Sequence, residues 1–110
     1  MIVKEAIERL NLITGGASVF VSDYTDNRTR PCCVRLEGDK VVVDFVNPVI
    51  ASLNQPNLSP LNVYELRDRL KTLNKPSEEI VFSDYNGQIF QTHCVRIEGD
   101  SACFDIDGVV

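Results

Sequence analysis

Two passages of the chain are copies of one another. Residues 21–45 read VSDYTDNRTRPCCVRLEGDKVVVDF, and residues 82–106 read FSDYNGQIFQTHCVRIEGDSACFDI. They stay in step without a gap at an offset of 61, so Ser22-Asp23-Tyr24 meets Ser83-Asp84-Tyr85 and Glu37-Gly38-Asp39 meets Glu98-Gly99-Asp100. Upstream, Val3, Glu5, Arg9 and Leu10 match Val63, Glu65, Arg69 and Leu70 at an offset one residue shorter. An internal repeat dictates architecture before any local propensity does. Two copies are too few for a solenoid, whereas a half of about 50 residues buries too little surface to stand comfortably alone. Two halves sharing one core satisfy both constraints, as in a fused homodimer.

Each copy reads as a helix followed by three strands. Asn62 with Glu65 three residues on has the form of a capping box, and Val63, Leu66, Leu70 and Leu73 recur at helical spacing until Asn74 and Pro76 stop the run. In the first copy Ala6, Ile7, Leu10 and Ile13 form the apolar stripe, with Gly15-Gly16 expected to end it. Residues 18–22 and 79–83 read as the first strand of each copy. The next two strands form a hairpin around Gly38-Asp39 or Gly99-Asp100, a two-residue turn with glycine first. That turn sets Glu37 against Lys40, Leu36 against Val41, Val34 against Val43 and Cys32 against Phe45. One face is then apolar: Cys32, Val34, Leu36, Val41, Val43 and Phe45, echoed by His93, Val95, Ile97, Ala102, Phe104 and Ile106.

The expected fold is therefore α+β, an internally duplicated α-β-β-β module. Two helices pack on one side of six mostly antiparallel strands about a pseudo-two-fold axis. Residues 1–46 form the first repeat, 47–61 a linker and 62–110 the second, the repeats making one compact domain. The linker NPVIASLNQPNLSP is rich in Pro and Asn, and its Val49, Ile50 and Leu53 are expected to pin it as it crosses between halves.

Sixteen acids against eleven bases give a formal charge of −5 in 110 residues. Phosphate backbones repel such a chain unless its bases cluster, and Arg28, Arg30 and Arg35 stand among Asp23, Asp26 and Glu37. Direct nucleic-acid binding is not expected, nor is attraction to anionic membranes. No apolar run approaches the length of a membrane span, and MIVKEAIERL carries charges where a signal peptide is apolar. A cytoplasmic location with reduced thiols is the expectation.

The opposite hairpin face bears Cys33, Arg35, Glu37, Val42 and Asp44, and its twin bears Cys94, Arg96, Glu98, Cys103 and Asp105. Arg35 lies diagonal to Asp44, and Arg96 to Asp105. Cross-strand ion pairs of this kind solubilise an exposed sheet; a duplicated polar surface also suits recognition of a partner, with arginines as anchors. Tyr24 and Tyr85, in the loops after the first strands, are the other candidate anchors. Asp23 and Asp84 are expected to bind backbone amides of those loops.

Cysteine usage offers little chemistry. Cys32 and Cys33 take the slots of His93 and Cys94, but strand neighbours point to opposite faces, and the spacings typical of closed zinc sites are missing. Cys94 and Cys103 share the outer face diagonally without any mark of a thiolate. His93 falls on the apolar face, away from Asp105 and Cys94, and no nucleophile or phosphate-loop motif is present.

The leading expectation is a small acidic module without catalytic activity, cofactor or metal, binding a protein partner. Its partner-binding residues are Arg35, Asp44, Arg96, Asp105, Tyr24 and Tyr85. One version is an inhibitor or adaptor of the kind phages and mobile elements carry, acting on a host protein, in one form by mimicking nucleic acid. The alternative is a ligand- or metal-binding protein, enzymes included, that uses Cys32 and His93 or the loop acids Asp23 and Asp84. Self-association to a homodimer stays open if an edge strand is exposed.

Overall fold

A computed structural model describes residues 1–13, 16–23, 28–46, 60–84 and 87–109. The elements run α1 (Val3–Leu10), β1 (Val19–Ser22), β2 (Arg28–Glu37), β3 (Lys40–Val46), α2 (Val63–Leu73), β4 (Ile80–Ser83), β5 (Ile89–Glu98) and β6 (Ser101–Val109). Among the described residues, two helices and six mostly antiparallel strands make the chain α+β. Helix α2 begins as its sequence dictates: Asn62 Oδ1 accepts from Glu65 N at 2.9 Å, and Glu65 Oε1 accepts from Asn62 N at 3.1 Å. It ends at Asn74, whose φ of 53° is the left-handed stop. Helix α1 is shorter than its apolar stripe implied. It stops at Leu10, and Ile13 is buried from the turn that follows.

The strands do not form an open layer with helices on one side. They close into a barrel in the order β1-β2-β3-β4-β5-β6. Strands β1 and β6 pair in parallel, as do β3 and β4, and the other four pairings are antiparallel. Right-handed twist lets a sheet of this kind meet itself. Closure gives each of the six strands a partner on both sides over at least part of its length.

The two parallel seams have the same register. Val19, Phe20, Val21 and Ser22 face Ala102, Cys103, Phe104 and Asp105; Ile80, Val81, Phe82 and Ser83 face Val41, Val42, Val43 and Asp44. Each strand residue of one seam lies 61 positions from its counterpart in the other. The helix leads cross over. Ile2 bridges to Glu79 and Val3 N donates to Glu78 O at 2.9 Å, while Asn62 bridges to Ser18 and Val63 N donates to Ala17 O at 2.9 Å. Each helix thus docks beside the first strand of the other half.

Inside lie Val19, Val21, Val41, Val43, Phe45, Ile80, Phe82, Val95, Ala102, Phe104 and Ile106, met by Val3, Ala6 and Leu10 of α1 and by Val63, Leu66 and Leu70 of α2. A fully buried leucine contributes about 2 kcal/mol through apolar surface removed from water. Phe82 is the centre of an aromatic chain, its ring centroid 5.2 Å from Phe104 and 6.4 Å from Phe45.

The turn-based register holds near the tips, with Glu37 on Lys40, Leu36 on Val41 and Val34 on Val43. Gly38 and Gly99 take φ of 62° and 61°, as a glycine-first turn demands. Further along it slips. Pro31 pairs with Phe45 and Cys33 with Asp44, leaving Cys32 as an inserted bulge residue; Thr92 pairs with Ile106 and Cys94 with Asp105, leaving His93 inserted. His93 is accordingly exposed, not on the core face, while Cys32 remains buried. Leu36 and Ile97, expected on the core face, are 42% and 44% exposed. The linker residues Val49, Ile50 and Leu53 lie outside the described residues.

Candidate functional site

The outer hairpin faces carry two matching charge clusters. Arg35 holds Asp44 with two bonds, Nε to Oδ2 at 3.0 Å and Nη2 to Oδ1 at 3.3 Å, and its Nη1 pairs with Glu37. Arg96 does the same to Asp105, at 2.6 and 2.8 Å, and pairs with Glu98 through Nη1. These diagonal contacts are the ones the turn register predicts. Their cause is geometric, since a planar guanidinium fits a carboxylate two positions along the neighbouring strand. The Arg35 and Arg96 side chains stay 44% and 43% exposed. The Asp44 hydrogen bond raises the pKa of Arg35, and the Asp105 hydrogen bond does the same for Arg96. Reciprocally, the Arg96 hydrogen bond holds the Asp105 carboxyl below its ordinary range against the opposing effect of burial.

Beyond this shared plan the clusters diverge. Arg28 donates from Nη2 to both Glu98 oxygens, at 3.1 and 2.9 Å. To do so it reaches from β2 over β1 and β6, with its guanidinium carbon 5.8 Å from the Phe20 ring centre. Arg30 lies 5.7 Å from the same ring, and binds Val19 O and Leu61 O, each at 3.2 Å. Cys103 is sealed beneath, with Arg96 Nη2 at 3.5 Å from its sulfur. On the other seam, Val81 stands where Phe20 does, Ile89 where Arg28 does, Gln91 where Arg30 does and Val42 where Cys103 does. Glu37, Lys40, Val42, Val81 and Ile89 line an open hollow there of about 210 Å³. Val42 and Cys103, expected on a solvated face, are both buried.

A second hollow, about 420 Å³, lies between Met1, Ile2, Glu5, Asp39, Lys40 and residues 77–79. Its rim is mainly acidic, with Lys40 shared between the two hollows.

The bulges alter the cysteine picture. An inserted residue breaks strand alternation, and Cys33 comes close enough to the Cys32 thiol to act on its pKa. Cys32 Sγ also donates to Asp44 O at 3.4 Å. Burial, followed by the proximity of Cys33, pushes the Cys32 thiol up to about 12. Burial likewise raises Cys94, whose sulfur lies 3.3 Å from Asp105 Oδ2, and Cys103. Cys94 and Asp105 are thus brought together; Cys32 and His93 occupy different environments, one buried and one exposed. Among the described residues, no group of three His, Cys, Asp or Glu side chains is placed to hold a metal ion.

Asp84 fulfils its expected turn role, with Oδ1 accepting from Gln88 N at 2.8 Å. Tyr24 and Tyr85 lie outside the described residues. Sequence reading missed the reach of Arg28 to Glu98, because register relates neighbouring strands and this contact spans two others. The arginines beside Phe20 were the available signal. No helix among the described residues is long and apolar enough to cross a membrane. No family model matches the chain, and neither a curated protein nor a solved structure matches it significantly.

Proposed function

We propose that this protein is a non-catalytic module that binds a protein partner through the outer faces of its two long hairpins. The observation that carries the reading is the pair of preorganised guanidiniums, Arg35 and Arg96. Each is nearly half exposed and fixed by an aspartate and a glutamate. An arginine already held in place loses less conformational freedom on binding, and arginine is over-represented among residues that dominate interface energetics. The raised thiols speak for the non-catalytic part, because a thiol left protonated at neutral pH is a poor nucleophile.

The reading includes an origin and a setting. The chain descends from a fused homodimer whose halves are related by a pseudo-two-fold axis. Support comes from the equal seam registers, the equivalent bulges and the exchanged helix leads. The net charge of −5 and the four free thiols suit the cytoplasm. An acidic inhibitor or adaptor acting on a host protein is the version this charge favours.

The test is a double charge reversal, Arg35→Glu with Arg96→Glu, beside a neutral Arg35→Gln with Arg96→Gln control. All are checked for folding by circular dichroism, then used as bait. A partner held by the native protein and lost by the reversal supports the reading. The same proteins held by both sinks it.

A further inference from the structure

The second long hairpin runs past the strand that flanks it. Strand β4 pairs with β5 only at Ile89, Phe90 and Gln91, and the Met1 amino group donates to Thr92 O at 3.3 Å. From Cys94 to Glu98 the strand is paired, among the described residues, with β6 alone. Glu98 and Ser101 close the two-residue turn, so the pairs that exchange backbone hydrogen bonds are Glu98–Ser101, Arg96–Cys103 and Cys94–Asp105. Val95 and Ile97 therefore point their N–H and C=O groups away from β6. Among the described residues, neither β4 nor any turn or cap bonds to them. Ile97 is 44% exposed on this edge.

We infer that this edge joins a second copy of the chain, the β5 arms of two molecules pairing antiparallel about a two-fold axis at Ile97. The inference does not depend on the partner reading above. It rests on the order Arg96-Ile97-Glu98, which is its own complement when turned end to end. The Ile97 N–H donates to the Ile97 carbonyl of the second copy, and the axis repeats the bond in reverse. Each Arg96 then stands opposite a Glu98 in a non-hydrogen-bonded pair, the class in which side chains approach most closely. The two Ile97 side chains cover one another on the other face. Moving the axis to Arg96 would set two guanidiniums against each other, so charge fixes the register. Arg28, Arg96, Glu98 and Asp105 are joined in one ion network with two charges of each sign. Two copies thus meet without local repulsion although each chain carries −5. The matching triplet Arg35-Leu36-Glu37 on β2 belongs to a network of Arg35, Glu37 and Asp44 with one negative charge in excess, and is the weaker edge. Ile97 lies two residues from the turn, so the overlap is confined to the hairpin tips and the two barrels extend in opposite directions. Such a contact is isologous and closes at two copies.

The test is a dilution series of the native protein by sedimentation velocity, with backbone amide shifts of labelled protein followed over the same range. The expected result is a reversible dimer with a Kd on the order of 0.1 mM, weak as befits a small interface, and amide movement centred on residues 95–98. Ile97→Lys, at a position already exposed, sets two ammonium groups on the axis and should weaken association by about ten-fold or more. Leu36→Lys, the same change on the other hairpin, should leave it unaltered. Arg96→Glu alone should abolish association by facing Glu98 of the second copy. Adding Glu98→Arg should restore it, because the reversed order of charges is again self-complementary. Each variant is first checked for folding by circular dichroism, and Ile97→Lys decides the matter if the charge-reversed chains fail to fold. Four outcomes overturn the proposal: no concentration dependence up to about 1 mM, undiminished association of folded Ile97→Lys, loss of association in Leu36→Lys, or a folded double reversal that stays monomeric. Ile97→Lys keeps both Arg35 and Arg96, so partner capture that persists in a variant unable to self-associate separates the two readings.

Discussion

Arg28 and Glu98 sit 70 positions apart in the chain, yet the guanidinium binds both carboxylate oxygens by crossing two intervening strands. The contact ties β2 to β5 over the seam where the first and sixth strands meet. A bond of this reach is a strap, and its energetic role differs from that of the hairpin ion pairs, which join strands already paired.

The strap is about one-third exposed at both ends, so its free energy is modest. A double-mutant cycle of Arg28→Met and Glu98→Gln should give a coupling of about 0.5 kcal/mol at low salt, shrinking towards zero in 1 M salt at a Debye length of about 3 Å. A coupling unchanged by salt would show that packing over Phe20, not charge, is what Arg28 contributes.

Acid should find Asp105. Its carboxyl titrates below the ordinary range because of Arg96, so the bond stabilises the fold above the unfolded carboxyl value of about 3.9 and is lost as pH falls through the lower folded value. Thermal melts from neutral pH downward should show a steeper acid-side loss in the native protein than in Asp105→Asn. Parallel curves would mean that the bond does not persist in solution.

Alkali should find Cys32. A folded thiol near 12 against an unfolded value of about 8.5 keeps its stabilising contribution below the latter and loses it as pH rises through the window between them. Cys32→Val should flatten the alkaline limb of the stability curve relative to the native protein. At neutral pH, peptide mapping after iodoacetamide treatment of the folded protein should find Cys32 largely unmodified. Rapid modification there would overturn the burial argument.

The aromatic chain sets the largest single cost. Phe82→Ala removes a fully buried ring from contact with Phe45 and Phe104, and should destabilise by about 3–5 kcal/mol in denaturant melts. Asn62→Ala, which dismantles the capping box of α2, should cost about 1 kcal/mol. Equal losses for the two would mean that the ring's surroundings collapse to fill its space.

Much of this architecture can be read from the residues, and the failures share a cause. Gly38 and Gly99 fix the hairpin turns, and from them follow the tip register and the Arg35–Asp44 and Arg96–Asp105 diagonals. Asn62, Glu65 and Asn74 mark both ends of α2. What fails is whatever depends on the third dimension. Alternation counts residues as though every one were paired, so a single inserted residue took Cys32 and His93 out of the ladder and moved His93 to the exposed surface. Pattern also says nothing of how far a sheet curls: the strands close into a barrel, and Leu36 and Ile97 stand exposed. Val42 and Cys103 look outward by parity, yet both are buried, the sulfur with Arg96 Nη2 at 3.5 Å.

The parallel pairing of β1 with β6 carries a kinetic consequence. The first strand of the barrel cannot find its partner until more than eighty further residues have been laid down, so closure is a non-local event and should be late and slow. Until then, a half-built chain presents β1 and β3 as two unsatisfied margins at once. In a crowded cell such margins seek any strand of matching register, and the nearest is the same half of another nascent copy. The late closure that completes the barrel is therefore also the step at which two unfinished chains would exchange strands.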